Sequence, residues 1–504
     1  MIPLPERLAA HADDPRIAIA ESAREIDYRG LWGQVLGFAG ALARRGIGHG
    51  DRVALLLGNR IEAVAAIYGC WFAGAAVVPL NVQARARDFT AWLGHAEPRL
   101  VVHEAGQADV AQALAALPVR PACIGVGGAS DGATAWDEAL DPTAAPARVA
   151  TDPAALALIL YTSGTTGSPK GVMLSHANLA ANVAGIVDYL GLRADDRIVS
   201  VLPFYYSYGS SVLHTHLAVG ARIALEPNLV FPQLVVERLA RERATGFSGV
   251  PSTYALLLDR VDLAAHDLSS LRYLTQAGGA MAPALTRRLS SALPQARLFV
   301  MYGQTEATAR LTWLPPEQLE AKLGSVGRPL PGVTLAVRHE DGSDCAVDEV
   351  GEVCARGPNV MQGYWRNPEA TAAVLQAGWL RTGDLGRLDA DGVLWLSGRR
   401  ADMIKTGAHR VHPQDVEEAI AELPGVAEVA VVGVDDELLG QVIKACIVRA
   451  GALDDNQVRA HCRARLAPYK VPKIVVFVDA LPKTASGKIR RVELAADAAP
   501  TGMS

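Results

Sequence analysis

Short apolar runs alternate with segments of helical spacing from Arg52 to Tyr302, and that alternation leaves the chain few folds to adopt. Residues 52–57, 61–73 and 75–79 read as strand, helix and strand. Apolar runs at 99–103, 124–126, 198–202, 221–225, 246–250, 271–277 and 298–302 continue the series, with helical segments such as 232–244 and 283–293 between them. Strands this uniformly apolar are covered on both faces, as in a largely parallel sheet wrapped by helices. Helical spacing over 31–45 stops at Gly46, a plausible C-cap. Beyond about Gly324 the texture changes to short strand-like runs at 333–338, 351–356 and 393–397, separated by Asp341-Gly342 and Asp391-Gly392 turns. After about Arg400 come a helix (413–423), strands (426–434, 444–448), a helix (457–466) and a strand (474–478), enough for a separate α+β unit. The 504 residues are too many for one core. Residues 127–153, rich in Ala, Asp, Gly and Pro, read as a surface connection.

Within this frame one stretch stands out: Tyr161-Thr162-Ser163-Gly164-Thr165-Thr166-Gly167-Ser168-Pro169-Lys170-Gly171. The apolar strand 156–160 leads into it and a helix over 175–190 follows. Glycines, hydroxyls and one lysine bring backbone N–H groups and a cation close to an anion, because glycine lets the backbone approach without a Cβ. A polyphosphate is the natural anion. The spacing is not the Walker pattern, since Gly171 stands where that motif has Ser or Thr after its Lys.

Other stretches sit where ligands bind in open α/β sheets, at the carboxyl ends of strands. Met301-Tyr302-Gly303-Gln304-Thr305-Glu306 is one; Gln276-Ala277-Gly278-Gly279-Ala280 is another, its glycines letting a flat ring lie against backbone. Arg381-Thr382-Gly383-Asp384-Leu385 offers a carboxylate within a turn, followed by Gly398-Arg399. Near the end, Leu481-Pro482-Lys483-Thr484-Ala485-Ser486-Gly487-Lys488 carries a lysine in a Ser-Gly loop. Taken singly, each has a plainer reading: a solvated Glu, a tight turn, a hairpin Gly-Asp, an exposed lysine. His409 and His412 lack a third nearby ligand and read as surface histidines rather than a metal site.

In this order along nearly the whole chain, the stretches resemble the adenylate-forming superfamily of acyl-CoA synthetases, peptide-synthetase adenylation domains and beetle luciferases. The resemblance implies an α/β fold: a large N-terminal domain of stacked, mostly parallel sheets with a small β-rich subdomain, plus a small mobile α+β C-terminal domain. We expect these at residues 1–399 (subdomain about 324–398) and 400–504. It implies ATP, Mg2+ and coenzyme A as cofactors. Thr162, Ser163, Gly164, Thr165, Thr166, Gly167 and Lys170 would cradle the phosphates. Tyr302 would wall the adenine, with Gly278, Gly279, Ala280, Gly303 and Gln304 around the nucleotide. Thr305 would neighbour the α-phosphate, and Glu306 would hold magnesium with Thr166. Asp384 would bond the ribose, and Arg399 the ribose or phosphate. Lys488 would be the adenylation lysine, while Lys405 and Gly407 would face the site in the thioester-forming orientation. The family has Asp or Lys at the hinge where this chain has Ala401, followed by Asp402, which puts hinge energetics in doubt more than chemistry.

The implied reaction joins a carboxylic acid to a thiol through an acyl adenylate. Tyr206, Tyr208, Gly209, Phe247, Ser248, Val250 and Ala277 fall where the family builds its acyl pocket. No Asp occurs from 202 to 211 to hold an ammonium, so an α-amino acid is disfavoured. Aromatic rings with hydroxyl tips suit an apolar fatty or aryl acid. The thiol is CoA, or the phosphopantetheine of an acyl carrier protein. A luciferase-like oxidase and a non-catalytic adenylate-binding protein stay behind these, the latter because Glu306 and Lys488 are both present. A net charge of −5 gives no reason to expect nucleic acid. The six cysteines show no close pairing and read as reduced thiols in a cytoplasmic protein. The first residues lack a basic region followed by an apolar core, so no signal peptide is expected, and the apolar stretch around 63–80 is broken by Gly69, Gly74 and Pro79, so no transmembrane segment is expected. A monomer and a homodimer both remain open.

Overall fold

The computed structural model describes residues 2–129, 132–146, 151–162, 170–226, 229–399, 402–406, 409–436, 439–484, 487 and 489–496. Two large sheets dominate. The first has nine strands, ordered Arg328–Pro329, Thr312–Leu314, Arg297–Tyr302, Tyr273–Gln276, Gly246–Gly249, Arg197–Ser200, Arg222–Leu225, Ile17–Ala20 and Glu25–Asp27. Its inner pairs are parallel and its outer pairs antiparallel. The second has eight, ordered Gly363–Tyr364, Lys170–Ser175, Leu156–Thr162, Ala76–Pro79, Arg52–Leu56, Leu100–Glu104, Ala122–Val126 and Thr134–Ala135. It too is parallel except at its first two pairings.

Helices Ile61–Phe72 and Ser207–Ala218 are buried around almost their whole circumference, the mark of a helix packed between layers. One continuous core joins Ile19, Ile198 and Leu298 of the first sheet with Val53, Val77 and Leu158 of the second. Helix His176–Leu190 packs on Ser207–Ala218 and ends at Gly191, whose φ of 58° provides the left-handed C-cap.

A third, antiparallel sheet contains Thr334–Arg338, Gly351–Arg356, Trp379–Leu388, Leu375–Gln376 and Leu394–Arg399. A fourth contains Ile404–Thr406, His409–Val411, Val426–Asp436, Gly440–Arg449 and Ile474–Val478. The fourth sheet has its own core, Ile404, Val416, Ile420, Val431, Ile447 and Val458 among it. The fold is thus α/β with a large N-terminal domain of mixed sheets, a small β-rich subdomain and a C-terminal domain. Among the described residues no helix is long and apolar enough to cross a membrane. All six cysteines are free, and five are buried.

Three expectations need correction. The helix does not follow the 161–171 stretch directly, because Lys170–Ser175 forms a strand antiparallel to Leu156–Thr162 and closes a hairpin. Ser175 then caps the helix: its hydroxyl accepts from the Asn178 N–H, and the Asn178 side chain accepts from the Ser175 N–H. Asp384 lies not in a free turn but within strand Trp379–Leu388, beside a bulge where Gly383 takes φ 73°. The 127–153 connection is partly structured, because Trp136 is buried and stacks on Phe38 at 5.1 Å.

His176, His214 and His216 are buried, and burial favours their neutral form. His216 donates from Nδ1 to the Val212 carbonyl and accepts at Nε2 from the Tyr273 hydroxyl, 2.7 Å each. His214 shares a 3.0 Å bond with Tyr68. Burial pushes His176 and His216 down to about 4 and His214 to about 3. These pKa values lie below that of an unfolded histidine, so their contribution is complete above about pH 6.5 and is lost as pH falls toward 4 and 3. The melting temperature is expected to fall across that window, and less steeply in His216→Gln, by thermal denaturation at graded pH.

Candidate active site

The hairpin that carries the 161–171 loop places its two ends together. The Thr162 hydroxyl reaches the Lys170 carbonyl at 3.5 Å. Ser163, Gly164, Thr165, Thr166 and Gly167 lie outside the described residues. Lys170 directs its ammonium toward the Tyr364 ring, 5.2 Å from the centroid. The Tyr364 hydroxyl donates to Glu306 Oε1 at 2.9 Å. Tyr364 thereby joins the loop's lysine to the expected magnesium carboxylate. It is held there because Gly363–Tyr364 pairs with Met173 and Val172 of the hairpin. Burial and the adjacent carboxylate raise the Tyr364 phenol, which keeps it protonated as a donor.

On the other side, strand Arg297–Tyr302 delivers Tyr302 to the third sheet. Its hydroxyl donates to Asp384 Oδ2 at 2.5 Å, and Arg399 Nε donates to Asp384 Oδ1 at 3.1 Å. Strand register sets this pair, since Asp384 lies opposite Arg399. Asp384 raises the Arg399 guanidinium, and burial raises the Tyr302 phenol well above its ordinary value. The Asp384 carboxylate is thus held in place by two donors from different strands. Gly303 is sterically required: a Cβ there would lie 2.0 Å from the Ala309 carbonyl oxygen. The next residue, Gln304, holds Nε2 buried without a partner among the described residues, a donor left for a ligand. Thr305 and Glu306 occupy a single 3-10 turn, with the Thr305 hydroxyl 3.4 Å from that of Ser207.

Gly278 (φ 85°) and Gly279 turn the chain after strand Tyr273–Gln276, and the Gly279 carbonyl accepts from Gln276 Nε2 at 2.7 Å. Ala280 is exposed and Ala277 buried. Val250 stands against this turn: a Cβ at Gly278 would lie 3.1 Å from Val250 Cγ1. A Cβ at Gly487 would lie 2.9 Å from Val250 Cγ2 and 3.0 Å from Ser252 Oγ. The C-terminal loop therefore touches the same wall, at the residue before Lys488. Lys488, Gly407 and Ala401 lie outside the described residues. Lys405 is exposed on strand Ile404–Thr406, its N–H donating to Gln441.

Of the expected acyl-pocket residues, Tyr206 is half-buried and its hydroxyl accepts from Asn81 at 3.3 Å. Tyr208 is buried, with its hydroxyl at the Thr275 carbonyl (2.9 Å) and hydroxyl (2.8 Å). Ser248 joins the same cluster through the Thr275 hydroxyl at 2.7 Å. Gly209 allows close backbone approach, since a Cβ would lie 2.1 Å from the Pro203 carbonyl oxygen. Phe247 and Ser248 are adjacent on one strand and so face opposite sides. Phe247 packs edge-on against Tyr254 at 5.9 Å.

Residues 5–365 match the AMP-binding enzyme family, and residues 415–488 match the AMP-binding enzyme C-terminal domain. The chain belongs to the AMP-binding enzyme family. It is 34% identical over 496 residues to indoleacetate–CoA ligase of Aromatoleum aromaticum, covering 97% of this chain and 96% of the relative. It is 35% identical over 493 residues to feruloyl-CoA synthase of Amycolatopsis sp, covering 97% and 96%. The benzoate CoA ligase from Burkholderia xenovorans LB400 superimposes with a TM-score of 0.89 at 29% identity, covering 98% of this chain and 100% of that one.

Two residues of this AMP-binding enzyme escaped the sequence reading. Tyr364 was signalled only by an aromatic pair, Tyr364-Trp365, after Gly363. Arg310 was signalled by a charge inside an otherwise uncharged segment, 307–316. The Tyr302–Asp384 bond can be probed directly. Tyr302→Phe removes one charge-assisted bond, and the KM for ATP is expected to rise about tenfold with kcat nearly unchanged. Steady-state kinetics in ATP decide it.

Proposed function

We propose that this AMP-forming acid–CoA ligase activates an aryl or otherwise largely apolar carboxylic acid. The acid carboxylate attacks the α-phosphorus of ATP, the bond to the β-phosphate oxygen breaks, and pyrophosphate leaves. The CoA thiol, losing its proton, then attacks the acyl carbonyl and AMP leaves. Neither half needs a protein nucleophile; positioning and charge neutralisation suffice. That is why the site holds glycines, hydroxyls, one Glu and lysines rather than a Ser-His-Asp array.

The observation that carries this reading is convergence. Lys170, Tyr364 and Glu306 form one linked cluster; Tyr302, Asp384 and Arg399 form another; and Gly487 brings the C-terminal loop to the Val250 wall. In our reading the loop 162–167 and Lys170 hold the phosphates, Tyr302, Gly303, Gln304 and Gly278–Ala280 surround the adenine, and Asp384 with Arg399 binds the ribose. Lys488 neutralises charge in the first half-reaction. The unit from 400 to 504 then turns to present Lys405 and Gly407 in the second. Glu306 Oε2 has no protein donor among the described residues, and with Thr166 and phosphate oxygens it makes the all-oxygen donor set that Mg2+ takes. There the ion would neutralise phosphate charge. The aryl preference is supported by relatives named for indoleacetate, feruloyl and benzoate substrates.

Pyrophosphate release, measured with ATP, Mg2+ and a panel of aryl, fatty and amino acids with and without CoA, tests the proposal. Release with an aryl acid and acyl-CoA only when CoA is present is expected. Adenylate formation that CoA never consumes would make a carrier-protein phosphopantetheine the acceptor.

A further inference from the structure

Arg310 begins four residues after Glu306 and is only 2% exposed. No carboxylate among the described residues lies within ion-pair distance of it. By contrast Arg238, buried almost as deeply at 4%, pairs with Glu242 at 3.1 Å. The neighbours of Arg310 are neutral. Nη1 reaches the carbonyl of Ala309 at 3.5 Å, Nη2 reaches the Ser211 hydroxyl at 3.4 Å, and Nε has no partner among the described residues. The guanidinium carbon lies 4.6 Å from the centroid of the Tyr208 ring, and Tyr189 also stands beside it.

A buried cation in this condition is unfavourable unless something completes it. The backbone around it is nonetheless fixed with care. The Arg310 carbonyl accepts from Asn182 Nδ2 (3.0 Å) and Asn359 Nδ2 (2.8 Å), and Thr308 just before it holds φ 67°. Its contacts, Tyr208 and Ser211, belong to the segment assigned to the acyl pocket. The guanidinium carbon lies over the Tyr208 ring, and among the described residues its donors make only the two long contacts to Ala309 and Ser211. The edge therefore keeps its capacity for a planar, two-oxygen acceptor.

We propose that Arg310 recognises a second carboxylate on the acid, so that the preferred substrate is a dicarboxylic acid with a largely apolar body. One carboxylate is activated at the α-phosphate; the other pairs with Arg310 at the far side of the acyl pocket. This rests on the acid-activating reading given above and names the substrate class within it.

Calorimetric titration of the full chain tests it with 3-phenylpropanoate and the ortho, meta and para isomers of 3-(carboxyphenyl)propanoate. The wild type is expected to bind one diacid isomer at least about tenfold tighter than the monoacid. Arg310→Met should weaken that diacid about 100-fold and change monoacid binding less than about threefold. Arg310→Lys should keep part of the preference. Exchange of a buried charge for an apolar chain of similar length generally preserves folding, and circular dichroism verifies it. A wild type that binds no diacid more tightly than the monoacid overturns the proposal. So does an Arg310→Met variant that weakens both equally, the mark of a merely structural arginine. Binding requires no turnover, so absent pyrophosphate release would count against the ligase reading while the titration still decides the role of Arg310.

Discussion

Lys488→Ala is expected to lower pyrophosphate release about 100- to 1,000-fold while leaving acyl-CoA formation from supplied acyl adenylate within about threefold. As the acid attacks, negative charge moves between the carboxylate and the α-phosphate oxygens. A compact ammonium on a flexible stem can follow that charge. The preceding Gly487 lies beside Val250 and Ser252, since a Cβ there would fall 2.9 and 3.0 Å from their side chains. The opposite pattern is expected of Lys405→Glu, with adenylation retained and thioester formation reduced. Measuring the two half-reactions separately distinguishes them. Equal loss in both halves from Lys488→Ala would contradict a role confined to the first.

The second large effect concerns Glu306. Glu306→Gln keeps the size of the side chain and an acceptor for the Tyr364 hydroxyl but removes the charge. Adenylation is expected to fall about 100-fold or more, with partial recovery as Mg2+ is raised, because under the proposed function the lost interaction would be an ion–carboxylate contact. Tyr364→Phe should fall only about three- to tenfold, since it removes one hydrogen bond that orients the carboxylate. A Glu306→Gln variant with normal Mg2+ dependence would place the metal elsewhere.

Much of the architecture was legible because parallel strands buried on both faces read as unbroken apolar runs. Strand Arg52–Leu56, helix Ile61–Phe72 and strand Ala76–Pro79 fall within a residue or two of their expected bounds. Strands Gly351–Arg356 and Ile474–Val478 match theirs end to end. What escaped was set by pairing between distant segments. Lys170–Ser175 is a strand only because Leu156–Thr162 and Gly363–Tyr364 flank it, and it runs straight into a helix, which hid its boundary. Asp384 looked like a turn residue because a Gly-Asp pair is common in hairpins, whereas the bulge beside Glu352 bends a continuous strand there. The contact from Tyr364 to Glu306 spans 58 residues, and Tyr302 to Asp384 spans 82. No local pattern reports such contacts. Arg310 was overlooked for a different reason: its environment, not its identity, makes it unusual.

The central claim is that an acid is first joined to AMP and then to a thiol. A quenched single-turnover reaction tests it most directly, with enzyme in excess over ATP, an aryl acid and Mg2+ but no CoA, resolved by chromatography and mass spectrometry. The account predicts acyl adenylate and pyrophosphate in equal amounts, and conversion of that adenylate to acyl-CoA and AMP when CoA is added. Formation of ADP and phosphate, or no adenylate with any acid, would contradict it; an adenylate that CoA leaves untouched would move the second step to a carrier-protein thiol.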